Sequence, residues 1–281
     1  MLGCRVGLEM CKHAGMADHV ESKRRELGAV FANPGVAAAY EHRPPYPPDV
    51  FDVLERLISD EPRVVLDIGA GDGAIARPLA SRVERVDAVD ISAAMIAVGR
   101  LRPGGQQPNL RWIVGAVETA DFDGPYALVT AGASLHWMQW DDTLDRLARA
   151  MSPHAQLAIL DHGPRDVPWH DDLVAVIKRH PRNPDYDPRF SVVEALQERG
   201  LFEVTSIADS SPMVFRQSIE DYVEQFHPTA TLAREHMSDQ ESRDFDLAVE
   251  RVVRPWAACD NTLELKTVAN LTWGRPRPAT V

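Results

Sequence analysis

Lysine is nearly missing from this chain. It supplies four of the 30 basic residues, and those 30 stand against 42 acids, for a formal net charge of -12. Such a surface repels phosphate backbones, which argues against nucleic acid as a partner and disfavours large polyanionic substrates. Cysteine is scarce as well. Cys4, Cys11 and Cys259 are odd in number and lack metal-ligand spacing, so neither a disulfide framework nor a cysteine zinc site is expected, and a reduced intracellular chain is. His154, His162, His170 and His180 show no ligand-like spacing with carboxylates, so no metal is expected. There is no run of about 18 apolar residues to span a bilayer, and the opening MLGCRVGLEMCKHAGMADHV lacks the apolar core of a secretory signal. The expectation is a cytoplasmic protein without a membrane partner. Nothing in the sequence specifies an oligomeric state.

What is present is a rhythm of short apolar strands and amphipathic helices. Strands are expected at Arg63–Ile68, Arg85–Asp90, Leu110–Val114, Tyr126–Thr130 and Gln156–Leu160. Helices are expected over Asp72–Arg82, after the cap residue Ser92, and over Asp141–Met151, where Leu144, Leu147, Ala148 and Met151 follow helical spacing. This alternation requires a largely parallel sheet with helices on both faces. A helical arm precedes the first strand and is interrupted by the proline-rich HRPPYPP. After Asp161 the rhythm changes. Ser191 and Glu194 form a capping-box pattern ending at Gly200, a sixth strand follows at Phe202–Ala208, and capped helices begin at Ser218 and Ser238 before the closing strand TLELKTVANLTW. The two late helices interrupt the last strand pair and would form a lid. The expected architecture is a Rossmann-like three-layer α/β sandwich: a seven-stranded mixed sheet with its last strand antiparallel, an N-terminal helical arm and helical cap insertions. By domain, residues 1–20 are expected to be a loose tail and 21–281 a single domain, with the ligand-binding core at 30–165 and the cap insertions within 162–258.

The first strand runs into VVLDIGAGDG. A glycine turn between strand and helix brings bare backbone N–H groups and the positive end of a helix to a ligand. Gly69, Gly71 and Ala74 satisfy G-x-G-x-x-G/A, and Asp90 lies about twenty residues on, where an acid grips a ribose diol. That pattern alone is shared by nicotinamide dinucleotides and other adenosine-bearing ligands. Asp67 separates them, unless it merely caps the following turn. A carboxylate at the strand mouth repels a pyrophosphate but favours S-adenosylmethionine, which carries an ammonium and a sulfonium and no phosphate.

Four segments in order, VVLDIGAGDGAIARPLA, VDAVDIS, LRWIVGAVETADF and YALVTAGASLHWM, resemble the class I S-adenosylmethionine-dependent methyltransferases. YEHRPPYPPDVFDVL and LHW are similar to the small-molecule, type 11-like branch that includes trans-aconitate-methyltransferase-like enzymes. The resemblance implies that Asp67, Gly69 and Gly71 line the methionine end, that Asp90 holds the ribose hydroxyls, that Ile91 flanks adenine, and that Ala70 and Met95 also bind the cofactor. It also implies cofactor contacts at Tyr40, Ala133 and Arg43, the last as a partner for the methionine carboxylate or else a surface arginine in a proline-rich turn. Where many relatives have an acid for the adenine amino group, this chain has Ala116. That contact then falls to Glu118 or Asp121, or to the backbone of Ala116 and Val117.

Methyl transfer is an in-line displacement that needs positioning and dryness more than it needs acid–base groups. His136, just after the fourth strand, is the candidate proton acceptor; the competing reading makes His136 and Trp137 a packing pair that covers the cofactor. Trp112, Trp137, Trp140 and Trp169 are numerous around the expected mouth, where they would wall an aromatic acceptor site or, in the favoured reading, are simply core or rim residues. The function that follows is methylation of a small-molecule acceptor, at oxygen. An NAD(P)-dependent oxidoreductase and a non-catalytic cofactor-binding module are the alternatives.

Overall fold

The computed structural model describes residues 36–37, 40–179, 189–229 and 232–277. The expected loose tail, most of the arm ahead of Tyr40, and residues 180–188 lie outside them. β1 (Val64–Ile68), β2 (Arg85–Asp90), β3 (Leu110–Val114), β4 (Tyr126–Gly132) and β5 (Met151–Arg165) run parallel in the spatial order β3-β2-β1-β4-β5. β8 (Thr262–Pro276) lies antiparallel beside β5 and continues the sheet to β6 (Phe202–Asp209). The strand order reverses between β1 and β4, and a crevice opens beyond the carboxyl ends of such a pair.

Strand alternation divides the core into two layers. Leu66 and Ile68 point to one side with Val129 and Leu157, against Leu144 and Leu147 of α4 (Trp140–Ala150) and Leu196 of α6 (Val192–Glu198). Val65 points to the other with Leu128 and Ala158, against Val50 and Leu54 of α1 (Asp49–Arg56) and Leu79 of α2 (Ala76–Ala80). Asp67 has the parity of Val65, so its carboxylate belongs to the α1 side. Ser92 caps α3 (Ala93–Leu101) by accepting from Met95 N–H at 3.1 Å, as its position before the apolar run requires.

A third core lies past the sheet's end. Leu263 and Leu265 at the start of β8 pack with Leu173 and Ile177 of α5 (His170–Lys178), Tyr222 and Val223 of α7 (Ile219–Glu224), and Phe245 and Val249 of α8 (Asp239–Val253). Ser218 and Ser238 cap the last two helices, and Ser238 completes its box with Glu241. These helices form a cap beside the crevice.

Two expectations change in detail. Among the described residues the sheet has eight strands, because β7 (Met213–Ser218) pairs with residues 262–267 of β8 below the point where β6 ends. β8 is long enough to carry two partners on one edge. The helix expected from Asp72 begins at Ala76, since Gly71 and Gly73 hold φ of 58° and 80°, outside helical backbone. Among the described residues no helix is long and apolar enough to cross a membrane.

Candidate functional site

β1 ends by delivering Asp67 to the crevice, and the chain turns at Gly69 with φ 60°. Asp67 is 1% exposed. Its Oδ1 accepts from the Thr130 hydroxyl of β4 at 2.7 Å, while its Oδ2 is buried with no hydrogen-bond partner among the described residues. Burial, joined by the charge of Asp90, pushes this carboxyl up to about 7, against the lowering effects of the Thr130 bond and of the Ala76 backbone N–H nearby. A buried half-satisfied carboxylate is costly unless a cationic or hydrogen-bonding group completes it.

Asp90, at the end of β2, binds the glycine corner to the next helix. Its Oδ2 accepts Gly71 N–H and its Oδ1 accepts Ser92 N–H, each at 2.7 Å. Burial raises its pKa, and these two N–H groups oppose the rise. Met95, on the first turn of α3, approaches within 3.2 Å of the position a Cβ on Gly71 would take.

These elements enclose a cavity of about 260 Å³. Ten of the expected cofactor residues line it: Tyr40, Gly69, Gly71, Asp90, Ile91, Met95, Ala116, Val117, Glu118 and Ala133. The other three, Arg43, Asp67 and Ala70, line an adjoining cavity of about 450 Å³ that shares Tyr40, Gly69, Gly71, Gly132 and Ala133 with the first. Among the described residues no lysine, arginine or histidine lines the first cavity, whereas Asp90 and Glu118 do. The Arg43 guanidinium lies 4.5 Å from the centre of the Tyr40 ring and donates to the Pro228 carbonyl at 2.9 Å, which ties the arm to the cap. Of the two acids offered in place of Ala116, Glu118 reaches the cavity, where its Oε1 accepts Gln139 N–H at 2.8 Å. Asp121 is exposed and lies off it.

His136 lines neither cavity. It lies at a third, with Ile159 and Phe190, and its ring stands 4.4 Å from that of Trp137, which does face the first. Among the four tryptophans expected at the mouth, Trp137 alone lines the first cavity. Trp112 fills the space left by Gly73 and Gly99 and donates to the Gly105 carbonyl, Trp140 donates to Leu135 in the core, and Trp169 belongs to the cap. Bulk and a burying neighbour decide an indole's place, and neither is visible as spacing.

Sequence reasoning missed Ser134, Met138 and Gln139, which line the cavity from the turn around Leu135–Trp137. It also missed Tyr46. The ring of Tyr46 stacks on His162 at 3.9 Å, and its hydroxyl lies 2.7 Å from where a Cβ on Gly132 would be. The glycine at the end of β4 was the available signal. Ala133 follows with φ 47°, an unusual backbone for a residue with a side chain, and its N–H donates to the Leu160 carbonyl. Among the described residues, no three His, Cys, Asp or Glu side chains are grouped to hold a metal.

Residues 65–154 match the family model of the methyltransferase domain. Over 137 residues the chain is 34% identical to trans-aconitate 2-methyltransferase of Mycobacterium sp. (strain KMS), which covers 48% of this chain and 52% of the relative. Over 122 residues it is 30% identical to malonyl-(acyl-carrier protein) O-methyltransferase of Halalkalibacterium halodurans, with 41% and 45% covered. The chain thus spans about half the length of these curated relatives. A solved structure from Anaeromyxobacter dehalogenans, provisionally named a type II methyltransferase, superposes with a TM-score of 0.57 at 22% identity over 83% of this chain and 97% of that one, and shows the same fold.

Proposed function

From a chain whose residues 65–154 form a methyltransferase domain on a class I methyltransferase fold, we propose that it is an enzyme that moves a methyl group from S-adenosylmethionine to a small-molecule acceptor, at oxygen. One observation carries the choice of donor. Among the described residues the buried Oδ2 of Asp67 lacks a partner; its own cavity also carries Arg43, Arg77 and Arg102, the last two beside Asp72, and the adjoining cavity is lined by Asp90 and Glu118 and by no basic side chain. A doubly charged pyrophosphate brings further negative charge against Asp67, Asp90 and Glu118, whereas an ammonium or sulfonium supplies the positive charge that Asp67 lacks. The O-methyltransferase named among the relatives supports oxygen as the acceptor atom.

In this reading Asp67, Gly69, Ala70 and Gly71 hold the methionine end, and Asp90 accepts the ribose hydroxyls with the lone pairs left by Gly71 and Ser92. Ile91 and Met95 hold the adenine faces. Glu118 and the backbone of Ala116 and Val117 hold its edge, while Tyr40, Arg43 and Ala133 cover the ligand. S-adenosylmethionine supplies a methyl carbon made electrophilic by its sulfonium. The chain's share is to fix an acceptor in line and keep the crevice dry, which tight burial around Asp67 and Tyr46 supports.

Titration calorimetry tests the donor. S-adenosylmethionine and S-adenosylhomocysteine are expected to bind with micromolar constants and NADH not at all; the reverse order would make the chain an oxidoreductase. His136 is assigned to packing against Trp137. His136→Ala is accordingly expected to keep turnover within about threefold of the parent and the same pH profile between about pH 6 and 9, because general-base catalysis contributes roughly a hundredfold or more where it operates. A slope that vanishes on substitution would restore His136 as the base.

A further inference from the structure

The cavity at Asp67 continues away from the glycine corner. Through Arg43, Pro44 and His162 it shares a wall with a chamber of about 410 Å³ beneath the cap. Val167, Leu173, Ile177, Phe226 and Leu232 make that chamber's apolar surface, and no carboxylate lines it among the described residues.

Most of its polar groups are already engaged. Arg43 donates to Pro228, the Tyr222 hydroxyl accepts from Trp169 Nε1 at 2.8 Å, Gln225 donates to the Tyr222 carbonyl, and Thr229 donates to Phe226. His162 is different. Its Nε2 lies 2.7 Å from the Pro44 carbonyl, which can only accept, so Nε2 carries the hydrogen and Nδ1 the lone pair. That Nδ1 is buried without a partner among the described residues. The ring is pinned by its stack on Tyr46, which itself touches the end of β4 beside the glycine corner.

Resting on the methyltransferase reading, we propose that the chamber under the cap is the acceptor site, and that its acceptor is an uncharged hydroxyl compound with an apolar body whose O–H donates to His162 Nδ1. The chemistry of the walls favours this class over a polycarboxylate such as the one named for the mycobacterial relative. Arg43 is the one permanent cation lining the chamber among the described residues, so several carboxylates would be desolvated there with a single counter-charge. His162 adds no second cation, and His170, the other histidine on the lining, is exposed to solvent. Burial holds His162 below the usual imidazole range, with Arg43 acting in the same sense, against the Pro44 carbonyl and Asp161, and it stays neutral near pH 7.

The test uses the full chain saturated with S-adenosylhomocysteine, and 2-naphthol, 2-naphthoate and trans-aconitate as probes. With 2-naphthol, the side-chain ¹⁵N resonance of His162 Nδ1 is expected to move, and the affinity to exceed that of both acids by more than tenfold. Val167→Phe, which narrows the chamber at a half-buried position, is expected to weaken 2-naphthol by more than tenfold and S-adenosylhomocysteine by less than threefold. His162→Phe keeps a ring against Tyr46 and removes the lone pair, and is expected to erase the preference for the hydroxyl probe. Tighter binding of either acid, absence of naphthol binding, or an unmoved Nδ1 resonance while S-adenosylhomocysteine binds overturns this assignment alone. Failure to bind S-adenosylhomocysteine overturns the methyltransferase reading beneath it.

Discussion

Asp67→Asn raises the melting temperature of the ligand-free protein at about pH 8, leaves it nearly unchanged at about pH 4, and weakens S-adenosylmethionine by roughly 10- to 100-fold. The sign follows from the direction of the pKa change. Asp67 titrates at about 7 in the fold against 3.8 in an exposed chain. Between those values the unfolded chain has lost the proton and the folded one keeps it, so the native state binds more protons and stability falls as pH rises through the window. Below it both states are protonated and nothing is lost. Above it the folded protein carries the full cost of an ionised, half-satisfied carboxylate, on the order of 4 kcal/mol at about 1.4 kcal/mol per tenfold change. Asparagine keeps an acceptor for the Thr130 hydroxyl and carries no charge, so that dependence disappears and the variant melts higher by several degrees, roughly 5 to 10 °C.

Ligand binding has the opposite sign. A cationic donor favours ionised Asp67, so binding strengthens as pH rises toward about 7 and levels off above it. Near pH 6 it should release a proton, visible as a calorimetric enthalpy that changes with the ionisation heat of the buffer. The affinity lost in Asp67→Asn is that of a charge-assisted hydrogen bond, about 1.5–3 kcal/mol. A variant that binds S-adenosylmethionine as well as the parent and shows the same pH-dependent melting would remove Asp67 from the site. Differential scanning calorimetry across pH, paired with titration calorimetry, decides both halves.

The parts of the site legible in the sequence are those made by short-range logic. Asp67, Gly69, Gly71 and Asp90 fall within one strand–turn–helix–strand unit, where the backbone requirements of the turn and the two-strand spacing impose residue types at fixed offsets. The cap helices were equally legible, because Ser218 and Ser238 announce their own starts. Tyr46 and His162 were not: they meet only because the arm folds under the end of β5, a contact between residues 116 positions apart that no local pattern encodes. β7 escaped for the same reason. Its alternation is ordinary, and what makes it a strand is the unpaired length of β8 about fifty residues on. Ser134, Met138 and Gln139 sit on a turn whose sequence has no periodicity, and only the closure of that turn over the glycine corner gives them a role.

That closure leaves Gly69 little tolerance, and Gly69→Ala is expected to weaken S-adenosylmethionine by at least 30-fold and to lower the melting temperature by several degrees. Two separate costs apply. At φ 60° a side chain is strained by about 1–2 kcal/mol wherever it sits. In addition the new Cβ would lie 2.4 Å from Ser134 Cβ and 2.9 Å from its Oγ. Neither partner yields easily: Ser134 is 6% exposed and its hydroxyl donates to the Ile68 carbonyl at 2.8 Å, one residue before the glycine. The turn must therefore move off β4, and as it moves Gly71 N–H is drawn from Asp90, so both ends of the ligand site are disturbed together. The two costs separate in a double-mutant cycle. Adding Ser134→Gly to Gly69→Ala removes the collision and leaves the backbone strain, so it is expected to recover at least a tenfold of the lost affinity without restoring the parent value, whereas Ser134→Gly alone weakens binding a few-fold by freeing the Ile68 carbonyl. Additive effects across the cycle would show that the collision is relieved elsewhere, and that the glycine is required for its φ alone.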